Sequence, residues 1–346
     1  MVFRNQHLIW VLKGKAEKGI ETAENKGSTY MLDAVDKHLL SELVKNGRIS
    51  FQELAKKVNI PVNEVGTRIQ RMVQDRTIQK FTVVPSPVLF GAKDAVIFFR
   101  ASSPLNQGRI NSLGVHPTVE FISIGGNIEG FALIHYRTIS ELYSVVRYFQ
   151  KVGRFDDIKA YQVQPLQAQE EPSKDVYALH DIDWVILIYL RNEGRLSLRD
   201  LSTRTNIAVE TLVERLEYMR KNRLIQEIVH VNPAKTAKES WTLFSLKLTI
   251  YTSATFDELT RELESHFLWK TSCWKVEEKP ILLLGFLCSS FDEIEKIQSS
   301  LSEAAGLISV EKIIGGVTYY FSDFRDEHLE ERRTADWFRP ERWVKD

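Results

Sequence analysis

Apolar residues at Leu32, Val35, Leu39, Leu40 and Leu43 recur at three- and four-residue spacing, the mark of one buried helical face, and Asn46-Gly47 then supplies a C-cap. Ser50 opens a second helix. It stands three residues before Glu53, the spacing of a capping box, and the helix runs to about Val58. Asn59 makes the turn, Pro61 suits a first helical turn, and Val65, Ile69 and Met72 form the buried stripe of a third helix. Ile78–Val84 is a β-rich run that would act as a wing. Three short helices, a tight turn between the last two and a following strand predict a winged helix-turn-helix.

The pattern then returns: residues 32–86 align without a gap with residues 179–233. The copies share Asp36/Asp183, Gly47/Gly194, Arg48/Arg195, Ser50/Ser197, Leu54/Leu201, Asn59/Asn206, Ile60/Ile207, Arg68/Arg215 and Ile78/Ile225. A period far longer than the roughly 20–50 residues of solenoid units signals two whole domains, a tandem duplication. After each unit the periodicity changes. Strands at Ala95–Arg100, Val119–Ile124, Phe131–Tyr136 and Phe155–Val163, with helices at Gln107–Leu113 and Ser140–Lys151, give the order βαββαβ. Thr242–Tyr251, Phe256–Phe267, Thr271–Glu277, Ile281–Cys288, Phe291–Ala305 and Leu307–Ile314 repeat it.

The expected fold class is therefore α+β, two copies of a winged helix-turn-helix followed by a ferredoxin-like domain with both helices on one sheet face. The bare sheet face needs a cover, either the equivalent sheet of the other half, as a pseudo-dimer, or a second molecule in a homo-oligomer. The chain divides into an extension (1–30), a first helix-turn-helix domain (31–88), a first ferredoxin-like domain (89–168) and a linker (169–178). A second helix-turn-helix domain (179–235), a second ferredoxin-like domain (236–318) and a tail (319–346) follow. The tail spends Phe324, Trp337, Phe338 and Trp343, which favours docking on a surface.

Lys plus Arg equals Asp plus Glu at 46 each, so no global basic field announces nucleic acid and any such site is local. Locally the balance shifts. Residues 32–86 hold nine Lys/Arg against six Asp/Glu, whereas residues 179–233 hold eight of each. On the third helix the face opposite the stripe carries Asn63, Gly66, Thr67, Gln70 and Arg71, a set able to meet base edges, with Lys56 and Lys57 placed for phosphates. Arg68 has two readings, phosphate contact or a brace to an acidic partner such as Asp36. In the copy Glu210, Glu214 and Glu217 replace Asn63, Thr67 and Gln70, an unfavourable set for DNA. The first unit is thus expected to be the main reader, and the second a dimerisation partner or protein-binding surface.

A winged helix-turn-helix followed by βαββαβ resembles the Lrp/AsnC family of transcription regulators, over residues 32–165 and 179–316. The stretch LDAVDKHLLSELVKNGRISFQELAKKVNIPVNEV, Arg68, Ile78 and Phe90-Gly91 carry the resemblance. It implies a regulator of double-stranded DNA whose ferredoxin-like domains pair through their sheets and, in some members, sense amino acids. Two departures stand out. Arg76 and Arg223 occupy the place before the wing where the family usually has glycine, in a turn that commonly wants φ > 0. The effector-loop signature survives only in the first half, as Gly125, Gly126 and Glu129 within IGGNIEGFALI; a plain strand-connecting turn is the other reading.

Other chemistry is sparse. No metal or cofactor is expected, since Cys273 and Cys288 fall on neighbouring strands as buried thiols and no paired-histidine helix motif occurs. No apolar run approaches the roughly 18 residues of a membrane span and no signal-peptide pattern opens the chain, so no membrane partner and a cytoplasmic, nucleoid-associated location are expected. The chain is read as a non-enzyme. An alternative keeps an enzyme in view: siroheme decarboxylases are built on a similar fold, and His116, His135, Arg137 and Arg147 would be the candidates here. A degenerate scaffold without DNA binding is a further alternative.

Overall fold

The computed structural model describes residues 31–126, 128–165, 179–232, 240–249, 270–303 and 306–334. The amino-terminal extension, the linker, the helix expected at Phe256–Phe267 and both tail tryptophans lie outside the described residues. The first half runs α1 (Ala34–Lys45), α2 (Phe51–Val58), α3 (Val62–Gln74) and β1 (Ile78–Pro85). It continues as β2 (Lys93–Ala101), α4 (Gln107–Gly114), β3 (Val119–Gly125), β4 (Glu129–Tyr136), α5 (Ile139–Gly153) and β5 (Phe155–Pro165). The second half runs α6 (Asp181–Leu190), α7 (Leu198–Thr205), α8 (Val209–Lys221), β6 (Ile225–Val231), β7 (Ser240–Leu248), β8 (Lys270–Val276), β9 (Ile281–Cys288), α9 (Phe291–Ser302) and β10 (Leu307–Gly315). Two elements beyond the expected set follow, β11 (Val317–Tyr320) and α10 (Phe324–Thr334).

Local chemistry sets the first unit's helix ends. Asp33 accepts the Asp36 N–H at 2.8 Å while the Asp36 carboxylate accepts the Asp33 N–H at 3.2 Å, a reciprocal capping box. Ser50 accepts the Glu53 N–H at 3.1 Å. Asn59 ends α2 in the left-handed region (φ 58°), and Asn206 does the same after α7 (φ 57°). Arg76 and Arg223 also hold left-handed backbone (φ 60° and 54°), as expected of the glycine-type turns they occupy. Asn46 caps α1 as expected, its N–H bonded to the Glu42 carbonyl at 3.1 Å, but the cap is extended rather than left-handed and Gly47 has no positive φ. Its bareness serves packing, because a Cβ there would lie 2.9 Å from the Glu227 carbonyl oxygen of the second unit.

That contact reflects a second difference. The wing is not free: β1 and β6 pair antiparallel as a two-stranded ribbon, with Thr82 opposite Ile228, which ties the two helix-turn-helix units to each other. Strands expected as separate wings have satisfied each other's backbone groups instead.

Among the described residues the other nine strands form one sheet in the order β10-β7-β9-β8-β5-β2-β4-β3-β11. Its two edges are joined through Gly315-Gly316, where β10 runs into β11, so the sheet curls back on itself. Gly125 permits this closure, since a Cβ on it would lie 1.8 Å from the Ile314 carbonyl oxygen. Helices α4 and α5 cover one face of the first half, around Ile97, Ile122 and Phe149, and α9 covers the second around Phe244 and Phe286. The other faces meet. Val96, Phe98, Phe131 and Leu133 share a core with Leu243 and Leu283, so the cover for each half-sheet is the other half of the chain.

Candidate nucleic-acid interface

Helix α3 turns Val65, Ile69 and Met72 into the core and leaves Asn63, Thr67, Gln70, Arg71 and Gln74 exposed. The split follows from 3.6-residue periodicity: positions 63, 67, 70 and 74 fall on one stripe opposite the buried one. Thr67 Oγ1 donates to the Asn63 carbonyl at 3.0 Å, so its hydroxyl proton is spent within the helix. At the end of α2, Lys56 is exposed, and Lys57 bonds Glu42 at 2.7 Å while staying about half exposed (47 %). The hydrogen bond to Glu42 raises the Lys57 pKa and keeps it charged, with the carboxylate as its near counter-ion.

Arg68 does not face outward as a DNA contact would. Its guanidinium meets Asp33 at 2.7 Å, Asp36 at 2.9 Å and Glu64 at 2.8 Å, and Asp36 is fully buried. The hydrogen bond to Asp33 and its acidic neighbours raise the Arg68 pKa further. Of its two readings, the brace is the one the geometry supplies. Arg215 repeats it on Asp183, at 2.8 and 2.6 Å, and lies over the Tyr218 ring.

The second unit presents a different surface. On α8, Glu210, Glu214 and Glu217 are exposed where α3 has Asn63, Thr67 and Gln70. The two units are also clamped by a reciprocal pair that the sequence marked only as a shared identity. Arg48 donates to the Gly194 and Leu196 carbonyls, the latter at 3.2 Å, and Arg195 donates to the Gly47 and Ile49 carbonyls at 2.9 and 2.8 Å. Arg195 also lies over Phe51 and Phe81. Burial lowers both arginine pKa values. A signal existed: an arginine directly after a glycine at the same place in both copies, with no acidic residue at helical spacing.

The effector-loop candidates separate. Gly125 is buried against Ile314, Gly126 is exposed with φ 56°, and Glu129 begins β4, paired with Arg100 at 2.8 Å. Glu129 and Arg100 line a cleft of about 330 Å³ between the half-sheets, together with Asp157, Lys159, Glu311 and Lys312 and the apolar Phe98, Tyr161, Leu243 and Ile313.

The residues of the enzyme alternative are each engaged or exposed among the described residues, and His135 and Arg137 both lie against the Phe324 ring. His116 bonds Thr118, Arg137 pairs with Glu141, and Arg147 is exposed on α5. His135 is buried between Asp94 (2.8 Å) and Glu120 (2.6 Å). Burial and the nearby Arg325 press its pKa down, but the two carboxylates prevail and hold it at about 9. Glu120, His135 and Asp323 could suggest a metal cage, their donor atoms lying within 4.8 Å of one another. A cation already serves them. The Arg325 guanidinium reaches Glu120 at 3.0 Å and Asp323 at 2.6 Å, and also donates to Gln226 at 2.6 Å. This cluster, which sequence reasoning missed, anchors the described part of the tail. Phe324 packs on Phe90 and Leu329 is buried in the core of the second unit.

Residues 32–73 match the model of the AsnC-type helix-turn-helix domain. An uncharacterized HTH-type transcriptional regulator of Pyrococcus horikoshii is 25% identical over 131 residues, which is 37% of this chain and 82% of that protein. Another, from Pyrococcus furiosus, is 45% identical over 56 residues, 16% of this chain and 37% of its own length. Among solved structures, the siroheme decarboxylase NirDL aligns at TM-score 0.48 with 16% identity, covering 86% of this chain and 98% of that one. E. coli AsnC aligns at TM-score 0.28 with 20% identity, covering 41% and 97%.

Proposed function

We propose that this chain, which carries an AsnC-type helix-turn-helix domain at residues 32–73, is a DNA-binding transcription regulator that reads duplex DNA through α3. The observation that carries this reading is the exposed face of α3. Asn63, Thr67 and Gln70 stand clear of the core, with Arg71 beside them and Lys56 and Lys57 at the adjoining helix end, while Arg68 holds the helix in place from behind. Polar side chains of this kind suit base edges, and the lysines suit phosphates. Names of regulators among the relatives support the same reading.

The test is retention of duplex DNA at graded salt. Lys56→Glu with Arg71→Glu is expected to weaken binding at least tenfold and to make it less sensitive to salt, by about one unit of log–log slope for each phosphate no longer neutralised. Unchanged retention in that double variant, with loss in α8 variants, would place the reader in the other unit.

The regulator's effector, in this reading, is an amino acid held at the cleft between the half-sheets. Glu129 and Arg100 in its lining offer a carboxylate and a guanidinium, complementary to an ammonium and a carboxylate, beside the apolar Phe98, Leu243 and Ile313. A thermal-shift series with the common amino acids checks it: at least one is expected to raise the melting temperature of the wild-type chain and not that of Glu129→Ala.

A further inference from the structure

The stripe on α3 has a chemical bias of its own. Asn63, Gln70 and Gln74 are carboxamides, and the exposed Thr67, whose hydroxyl proton is spent on the Asn63 carbonyl, adds a methyl group and no free donor. A carboxamide matches the N6 donor and N7 acceptor of adenine bidentately, and a methyl group packs on the thymine methyl; guanine is matched by arginine or lysine. The stripe itself holds neither of these cations, and Arg71 stands at its margin. On α8 the corresponding positions are Glu210, Glu214, Glu217 and Lys221, all exposed. Carboxylates can accept from an amino group but have no donor for N7 or O6 acceptors, and they repel phosphates on approach.

The clamp makes this asymmetry matter. The paired ribbon of β1 and β6, the crossed arginines Arg48 and Arg195, and the close backbone approaches at Gly47 and Gly194 fix the two units as one body. Helix α8 therefore travels wherever α3 docks. Resting on the DNA-binding reading above, we infer that one chain reads one half-site of A·T base pairs through α3 alone, and that α8 is a non-reading partner. A pseudo-twofold protein in this arrangement binds an asymmetric element, and two half-sites require two chains.

The full chain is tested by selection from a randomised duplex pool, footprinting of an enriched sequence, and a count of chains bound per duplex by mass photometry. Support is an enriched motif dominated by A·T pairs and one chain per protected half-site. Gln70→Ala is expected to relax selection at one position by about tenfold or more. The gain-of-reading variant Glu210→Asn, Glu214→Thr, Glu217→Gln is expected to let a single chain protect two half-sites. One wild-type chain protecting both arms of an inverted repeat, or a motif dominated by G·C pairs, overturns the inference and leaves the DNA-binding reading standing. No salt-sensitive binding to any enriched duplex overturns both.

Discussion

Arg68 illustrates how one residue's role depends on what it touches. Its three carboxylate partners include the buried Asp36, so removing the guanidinium strands a charge away from water. Arg68→Ala is expected to destabilise the fold by about 3–5 kcal/mol in urea unfolding, an effect present with no DNA in the sample. A pure phosphate contact would leave stability unchanged and weaken DNA binding alone. Arg76 is the opposite case. It stands at φ 60°, where a Cβ is crowded and glycine is not. Arg76→Gly is expected to stabilise the chain by about 1 kcal/mol, read as a higher unfolding midpoint. The sequence allowed both statements in outline, because the Asp36/Arg68 pairing recurs in the copy and the turn position is set locally by the preceding helix.

At the level of elements, helices and caps were legible and strand partners were not. Spacing of apolar residues located α1, α2 and α3 to within a few residues, since each depends on neighbours three and four positions away. Pairing of β1 with β6 depends on Phe81 and Val229 meeting across the chain, which no local pattern encodes. Gly194 is the point of closest approach, where an added Cβ would lie 2.5 Å from the Phe81 carbonyl carbon and the Thr82 nitrogen. Both are backbone atoms that cannot rotate aside. Gly194→Ala is expected to cost about 1–3 kcal/mol by forcing the ribbon and the helix turn apart. Circular dichroism at rising temperature reads this as an earlier loss of helix, and an unchanged midpoint would contradict the close approach.

On the whole molecule, the buried ionic cluster joins three parts, the first half-sheet through Glu120 and His135, the ribbon through Gln226 and the tail through Asp323 and Arg325. Its titration sets a pH dependence. His135, held at about 9 against an ordinary 6.5, contributes stability that is complete below pH 6.5 and is lost as pH rises through 9. His230 runs the other way. Partly buried, and flanked by Lys80, Glu120 and Arg325 with its ring stacked on Tyr320, it falls to about 4, so its contribution is complete above pH 6.5 and is lost as pH falls through 4. Glu120 is raised by burial but brought to about 2 by Arg325 and His135; its share is lost below pH 4.5. The unfolding temperature is expected to peak near pH 6.5 and fall on both sides. His135→Gln is expected to flatten the alkaline limb between pH 6.5 and 9, and His230→Gln the limb between pH 6.5 and 4.5, in scanning calorimetry.

The sequence by itself determined the helices, their caps, the left-handed turns at Asn59 and Asn206, and the difference in charge between the faces of α3 and α8. Those depend on residues within a few positions of one another, or on identity alone. The tertiary structure decided which surface covers each half-sheet, that the wings bind each other, that Arg68 is a brace, and that Arg325 completes a cluster with Glu120. Each of these brings together groups distant in the chain, and their energies come from burial and charge pairing that exist only once the chain has folded.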